Sequence, residues 1–475
     1  MAEKMLQFTD TKQAYPEKRL AEDRKKDFDE IYRDYALSKA EEQASRCSQC
    51  GVPFCHIHCP LGNNIPDWLR LTAENRLEEA YAVSSATNTM PEICGRICPQ
   101  DRLCEGNCVI EQDFNAVTIG SIEKFITDTA WDKGWVKPIT PQLERNESVA
   151  IIGSGPAGLA AAEELRIAGF QVHIYERADR AGGLLIYGIP GFKLEKDIVL
   201  RRTKRLEDSG VHFHLNHEIT DLKALKDEHD AVLLATGVYK GRALDIAGTS
   251  LSGVTKALDY LITSNRLSLG DTVPEFNTGA LDAKGKNIVV IGGGDTAMDC
   301  VRTAIRQGAK SVTCLYRRDR DNMPGSKNEV QNAEEEGVKF LWLSAPEEFI
   351  GDDKITQVRA HKMHLGAADA TGRRRPEPVA DSSFTLDCDM AILALGFEPE
   401  DLPGHLQAPE LGVSRWGTVT IDHSTSMTNL DGIFAAGDIV RGASLVVWGI
   451  KDGRDAADHI THYINTQKAS QTAAE

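Results

Sequence analysis

The sequence predicts an α/β chain in which two Rossmann-like dinucleotide-binding domains follow an α-helical, cysteine-rich domain. Three observations predict this. A unit of strand, glycine turn, helix and strand occurs twice, at 147–177 and at 286–318. A second pair of segments, DAVLLATG (230–237) and DMAILALG (389–396), repeats with it. Eight of the 11 cysteines fall between Cys47 and Cys108, ahead of both copies.

From the N-terminus, residues 16–46 are charged and carry Phe28, Ile31, Tyr32 and Tyr35 at i, i+3, i+4, i+7 spacing, which predicts a helix packed on the cysteine region. Two cysteine runs follow, CSQCGVPFCHIHC (47–59) and CGRICPQDRLCEGNC (94–108), separated by an amphipathic helical stretch at 67–87. The segment 132–147, with two prolines and mixed charge, reads as a linker, so the first boundary is placed near 140. The resulting division is 1–140 for the helical domain, 146–280 with 400–475 for a first nucleotide domain in two pieces, and 281–399 for a second.

The first turn, Gly153-Ser154-Gly155-Pro156-Ala157-Gly158, is a complete G-x-G-x-x-G between the strand VAII and an alanine-rich helix. Its first glycine permits the tight turn, its second admits a pyrophosphate to the backbone, and its third lets helix and strand pack closely. Glu176 ends the second strand, where a carboxylate accepts hydrogen bonds from ribose hydroxyls. The second turn runs Gly292-Gly293-Gly294-Asp295-Thr296-Ala297, and its second strand ends in Tyr316-Arg317-Arg318. An acid at that position repels a 2′-phosphate and paired guanidiniums bind one, so this site reads as NADP rather than NAD. NLDGIFAAGDIV (429–440) adds an apolar strand ending in Gly437-Asp438.

The cysteine spacings are C-x2-C-x4-C-x3-C-P in the first run and C-x3-C-P followed by two further cysteines in the second. Thiolates so spaced can wrap a cubane, and a cysteine followed by proline is a ferredoxin-like feature. Two zinc sites of four thiolates each are the alternative, but zinc ribbons favour paired C-x2-C knuckles and only Cys47 and Cys50 make one. His56 and His58 are read as a polar shell around the sulfurs. Cys300, Cys314 and Cys388 lie singly in apolar stretches and are read as core residues.

Over 147–465 the chain resembles the two-dinucleotide flavoproteins, through both glycine turns, Ala235-Thr236-Gly237, Ala394-Leu395-Gly396 and Gly437-Asp438. That resemblance implies FAD at the first turn, on Gly153, Gly155, Gly158, Glu176, Gly183, Gly237, Gly437, Asp438 and Gly449. The loop YGIPGFK (187–193) and the segment WGIKDGR (448–454) would then lie close to the flavin ring. NADP would use Gly292, Gly294, Asp295, Thr296, Arg317 and Arg318. No cysteine occurs between Cys108 and Cys300, so a disulfide reductase would lack its redox pair; the upstream cysteines suggest instead that electrons leave through clusters.

The order CSQCGVPFCHIHCP, NNIPDW, EICGRICPQDRLCEGNC, IGSGPAGLAAA, GGGDTAMDC and AAGD resembles, end to end, the small (beta) subunit family of NADPH-dependent glutamate synthase. The N-terminal reductase half of dihydropyrimidine dehydrogenase is similar too. The resemblance implies two [4Fe-4S] clusters whose ligands cross between the runs: Cys47, Cys50, Cys55 and Cys108 for one, Cys59, Cys98 and Cys104 for the other. The fourth ligand of the second cluster is Glu123 by the family pattern and Cys94 by spacing. It implies a reductase without a catalytic acid–base pair, passing a hydride from NADPH to FAD and single electrons onward. The acceptor would be a large (alpha) subunit carrying FMN, which makes glutamate from glutamine and 2-oxoglutarate. A paralogous input subunit serving another acceptor, such as a ferredoxin or a pyrimidine reductase, is the alternative. Residue 2 is alanine, so no cysteine nucleophile is expected at the N-terminus and the chain alone is not expected to make glutamate.

The bulk numbers fit. A chain of 475 residues supports about two to four domains. Net charge is 54 − 71 = −17, which argues against nucleic acid or an anionic membrane as partner. No run of about 18 uncharged apolar residues occurs, and the N-terminus has no signal-peptide pattern, so a cytoplasmic location is expected.

Overall fold

The computed structural model describes residues 4–368 and 374–474. Its frame is two five-stranded parallel sheets that share the order of four strands and differ at one edge, where the first sheet places its last strand and the second its first. The first runs Ile433–Ala435, Ala231–Leu234, Ser148–Ile152, Gln171–Glu176, His212–Leu215. The second runs Val254–Lys256, Met390–Leu393, Asn287–Ile291, Ser311–Leu315, Lys339–Leu341. In each, the strand that feeds the glycine turn is central, pairing Val149 with Val172 and Ala231, and Val289 with Thr313 and Ala391. The chain therefore steps away from that strand in both directions, which opens a crevice at its carboxyl end.

The second repeated pair has a physical reason. A Cβ on Gly153 (φ +103) would collide with the carbonyl of Ala235, and one on Gly292 (φ +147) with that of Ala394. Each ATG or ALG segment presses its backbone onto the first glycine of a turn. Side chains on the central strands, Val149, Ile151, Ile288 and Val290, are all buried.

The second sheet begins at Val254, which corrects the boundary at 281. The 254–256 strand and the helix Ala257–Ser268 belong to the second domain because Val254 pairs with Ala391, a partner 137 positions away that local sequence does not announce. The chain crosses between domains at Lys240–Gly241 and returns at Phe397–Glu398, and these two segments pair antiparallel. Four antiparallel strands, Ser344–Gly351, Ile355–Ala368, Arg374–Pro378 and Phe384–Asp387, sit within the second domain.

The N-terminal domain is helical around buried Ile65, Trp68, Leu69, Ile122 and Ile126. The expected helix over 67–87 is two, Ile65–Ala73 and Leu77–Thr87, broken at Asn75 with φ +59. The expected helix over 16–46 is corrected more deeply. Only Ala21–Arg24 and Leu37–Ala44 are helical, and Phe28, Ile31, Tyr32 and Tyr35 lie between them. There the chain doubles back, with Arg19 N–H donating to the Ile31 carbonyl at 2.9 Å and Arg33 N–H to that of Glu17 at 2.9 Å. Its side chains find distant partners: buried Arg24 pairs with Glu335 at 2.7 Å and Glu336 at 2.9 Å on the second domain. The N-terminal domain thus straps itself to the second nucleotide domain.

Candidate redox site

One cleft of about 1150 Å³ lies where the three domains meet. Its wall takes in Gly153–Ala157 of the first turn, Gly294–Thr296 of the second, and Ile97, Cys98, Pro99 and Gln100 of the second cysteine run. Cys98 is the one cysteine in that wall.

At the first turn, a Cβ on Gly155 would meet open space, whereas one on Gly158 would strike the Gly153 carbonyl. These are the two roles expected of the second and third glycines. Glu176 is buried at the end of its strand. It accepts from Ser154 N–H at 3.1 Å, Ser154 Oγ at 2.6 Å and Ala178 N–H at 2.8 Å. Three of a carboxylate's roughly four acceptor positions are thus taken, leaving one for a ribose hydroxyl. Thr236 Oγ1 lines the cleft, buried and without a hydrogen-bond partner. Asp438 follows Gly437 (φ +78), and burial pushes its carboxyl up to about 6. Gly237 and Gly449 also line the cleft, while Gly183 (φ +54) backs onto Gly155. An open backbone approach, an orphaned buried hydroxyl and a carboxyl at the far wall fit FAD.

At the second turn, Gly294 opens into the cleft and Asp295 Oδ1 accepts from Ser326 N–H at 2.9 Å. Gly292, Arg317 and Arg318 lie off the cleft, at the strand ends behind it. Arg317 is exposed, and Arg318 Nε is buried with no hydrogen-bond partner. A guanidinium with one N–H still unpaired at that strand end fits a 2′-phosphate.

Sequence reading missed the polar group between the turns. Lys193 Nζ lies 2.9 Å from Asp299 and 3.7 Å from Glu329, all three in the cleft wall. Burial pushes the Asp299 carboxyl up to about 6, against the pull of Lys193. The signal was the charged end of GFK (191–193), in a loop the flavoprotein resemblance had already placed near the flavin.

The eight upstream cysteines fall into two neighbourhoods. Burial, then the proximity of Cys47, Cys108 and Cys50, pushes the Cys55 thiol up to about 12. Cys59, Cys94, Cys98, Cys104 and Glu123 line a separate small cavity beside the cleft. The structure therefore brings Cys108 to the first run and Cys59 to the second. Among the described residues no three such side chains are already drawn to ligand distance. The donor chemistry, buried and half-buried thiols in two sets, fits iron–sulfur clusters.

Glu123 has none of the solvent exposure usual for a helical glutamate. It is buried in the helix Ile119–Asp132, and accepts from Asn88 Nδ2 at 3.1 Å, Asn63 Nδ2 at 3.3 Å and Ser84 Oγ at 3.5 Å. Burial pushes its carboxyl up to about 8. Cys94 faces the same cavity, its thiol donating to Asn88 Oδ1 at 3.8 Å. His56 and His58 turn Nδ1 to the carbonyls of Asn63 and Phe54. Cys300, Cys314 and Cys388 are buried core residues of the second domain.

Residues 24–135 match the family described as dihydropyrimidine dehydrogenase domain II, 4Fe-4S cluster, and residues 147–453 the pyridine nucleotide-disulphide oxidoreductases. The glutamate synthase [NADPH] small chain of Azospirillum brasilense is 63% identical over 475 residues, covering 99% of this chain and 98% of that one. The chain belongs to the glutamate synthase small-chain family. Another relative is the putative oxidoreductase AegA of Escherichia coli, 43% identical over 95% of this chain and 70% of its own. Among solved structures, FprA of Mycobacterium tuberculosis in complex with NADPH shares the fold at a TM-score of 0.58, with 21% identity over 69% of this chain and 86% of that one. No helix among the described residues is long and apolar enough to cross a membrane.

Proposed function

We propose that this chain is the electron-input subunit of a glutamate synthase: it oxidises NADPH and delivers single electrons to a large subunit carrying FMN, which makes glutamate from glutamine and 2-oxoglutarate in the cytoplasm. The observation that carries the reading is the single cleft into which both glycine turns and Cys98 open. When bound, NADPH supplies a hydride, FAD accepts it and gives electrons up singly, and the [4Fe-4S] clusters carry them away.

The chain's own residues position these groups. Gly153, Gly155 and Gly158 admit the FAD pyrophosphate, with Glu176 on its ribose and Gly183, Gly237, Gly437, Asp438 and Gly449 around the remainder. Gly292, Gly294, Asp295 and Thr296 seat the nicotinamide nucleotide, and Arg317 and Arg318 select its 2′-phosphate. Cys59, Cys98 and Cys104, with Glu123 or Cys94, hold the cluster next to the cleft. Cys47, Cys50, Cys55 and Cys108 hold the outer one. Around that outer set Val52, Phe54, Ile57 and Val109 are 60%, 47%, 57% and 54% exposed, and no Asp, Glu, Lys or Arg occurs in 47–66. An uncharged apolar rim over a redox centre suits a partner that must approach closely.

The match to AegA favours a second reading, a paralogous input subunit serving another acceptor. One experiment tests the reductase itself: the purified chain is assayed for iron, acid-labile sulfide and zinc, then titrated anaerobically with NADPH. About eight irons per chain and bleaching of the flavin support it. Stoichiometric zinc, or a flavin that NADPH leaves oxidised, refutes it.

A further inference from the structure

The second glycine turn poses an electrostatic problem. Its helix, Asp295–Arg306, opens on an aspartate, so a carboxylate stands where the backbone N–H groups would receive a pyrophosphate. Asp299 and Glu329 face the same cleft. The local field therefore opposes the anion that the turn's shape invites.

Among the described residues, the lysines and arginines of the cleft wall are Arg96, Arg102, Lys124, Arg177 and Lys193. Four are held by carboxylates at 3.0 Å or closer: Arg96 and Lys124 by Glu30, Arg177 by Glu400, Lys193 by Asp299. Arg102 differs. Its Nη2 is 3.5 Å from Asp295 Oδ2 and its side chain is 44% exposed. Its Nη1 donates to the Pro324 carbonyl at 2.8 Å, in the 324–326 loop that covers the turn. In that loop Gly325 N–H donates to the Gly293 carbonyl at 3.0 Å and Ser326 N–H to Asp295.

Arg102 comes from the N-terminal domain, on the loop between Cys98 and Cys104, and that loop is firmly held. Glu105 N–H and Gly106 N–H both donate to the Gln100 carbonyl, at 2.9 and 3.0 Å, and Gln100 Nε2 to the carbonyl of Gly95 at 3.2 Å. The guanidinium is delivered to the turn by a preformed scaffold, which lowers the entropic cost of using it.

We propose that Arg102 is part of the pyrophosphate site of the nicotinamide nucleotide, an anion-binding residue lent by the cysteine-rich domain to the second nucleotide domain. It offsets Asp295 and supplies the cationic contact that the glycine turn lacks. The inference rests on the reading of the 292–297 turn as an NADP site.

The test measures NADP+ and adenosine 2′-phosphate binding to the full chain, as purified with its cofactors, by titration calorimetry. Adenosine 2′-phosphate carries the 2′-phosphate and no pyrophosphate. Arg102→Gln should weaken NADP+ about tenfold, the scale of one charge-assisted hydrogen bond, and leave adenosine 2′-phosphate unchanged. Unchanged NADP+ affinity overturns the proposal, as does an equal loss for both ligands, which marks a purely structural bridge. If Arg102→Gln loses iron, Arg102→Lys is measured instead and judged by the same two ligands, with a two- to fivefold loss confined to NADP+ expected, about half the effect of removing the charge. The double variant Arg317→Ala/Arg318→Ala, run alongside, should lose adenosine 2′-phosphate. If it binds both ligands as the parent does, the NADP reading of the turn fails and the Arg102 proposal falls with it.

Discussion

Replacing Glu336 by glutamine should destabilise this chain more than replacing Arg24, one of the arginines around it. The carboxylate is fully buried and meets three guanidiniums, Arg24 at 2.9 Å, Arg302 at 2.9 Å and Arg306 at 2.7 Å. Burial pushes the Glu336 carboxyl up, but the hydrogen bonds from Arg306 and Arg302 outweigh it and hold the group at about 2. In Glu336→Gln, Arg24 keeps Glu335 at 2.7 Å and Arg302 keeps Glu329 at 2.6 Å. Arg306 keeps no carboxylate among the ion pairs of the described residues. An uncompensated buried charge costs about 3–5 kcal/mol. In Arg24→Gln, Glu336 retains two guanidiniums, so the loss is that of charged hydrogen bonds, about 1.5–3 kcal/mol. Urea midpoints followed by tryptophan fluorescence on the holo chain should fall further for Glu336→Gln than for Arg24→Gln. The folded carboxyl lies below its ordinary value of 4.5, so its contribution is complete above that value and fades as pH falls toward 2. The glutamine variant should lack that part of the acid sensitivity. A larger midpoint loss in Arg24→Gln, or an unchanged acid profile in Glu336→Gln, would refute the reasoning.

Three further outcomes are expected. NADPH should reduce the flavin much faster than NADH, and Arg317→Ala/Arg318→Ala should raise the NADPH KM about tenfold or more while leaving NADH nearly unchanged; equal treatment of the two cofactors by parent and variant removes the 2′-phosphate assignment. Iron and sulfide analysis of Glu123→Ala and Cys94→Ser should show the lost cluster in the glutamate variant, and full iron there with loss in Cys94→Ser would restore an all-cysteine ligand set. Ile57→Asp, at an exposed apolar position beside the outer cysteine set, should weaken association with the large subunit at least tenfold while dye reduction by NADPH holds; undiminished association would place docking elsewhere.

What the sequence made legible was local. The glycine turns, their strands and the ATG and ALG segments repeat because each domain must bring a carbonyl onto its first glycine, and that requirement is written within short stretches. The 16–46 segment reads as one helix, and only Ala21–Arg24 and Leu37–Ala44 are helical, because the i, i+3, i+4, i+7 pattern is indifferent to what Arg24 contacts, and Arg24 contacts Glu335 and Glu336, some 300 positions on. The domain boundary slipped for the same reason, since Val254 pairs with Ala391. At the site, cysteine spacing suggested two sets but could not show that Glu123 and Cys94 face one cavity. Nor could it show that Arg102, within a cysteine run, reaches Asp295 in another domain. Those juxtapositions are tertiary.

The most direct test of the electron-input role is reconstitution. The chain is mixed with a glutamate synthase large subunit, and NADPH oxidation and glutamate are followed together in the presence of glutamine and 2-oxoglutarate. The account predicts that NADPH is consumed in step with glutamate formation, that the chain alone forms none, and that loss of the outer cluster in Cys55→Ser abolishes the coupling while dye reduction persists. A chain that reduces dye from NADPH yet passes no electrons to the large subunit, with glutamate absent under all conditions, would contradict it.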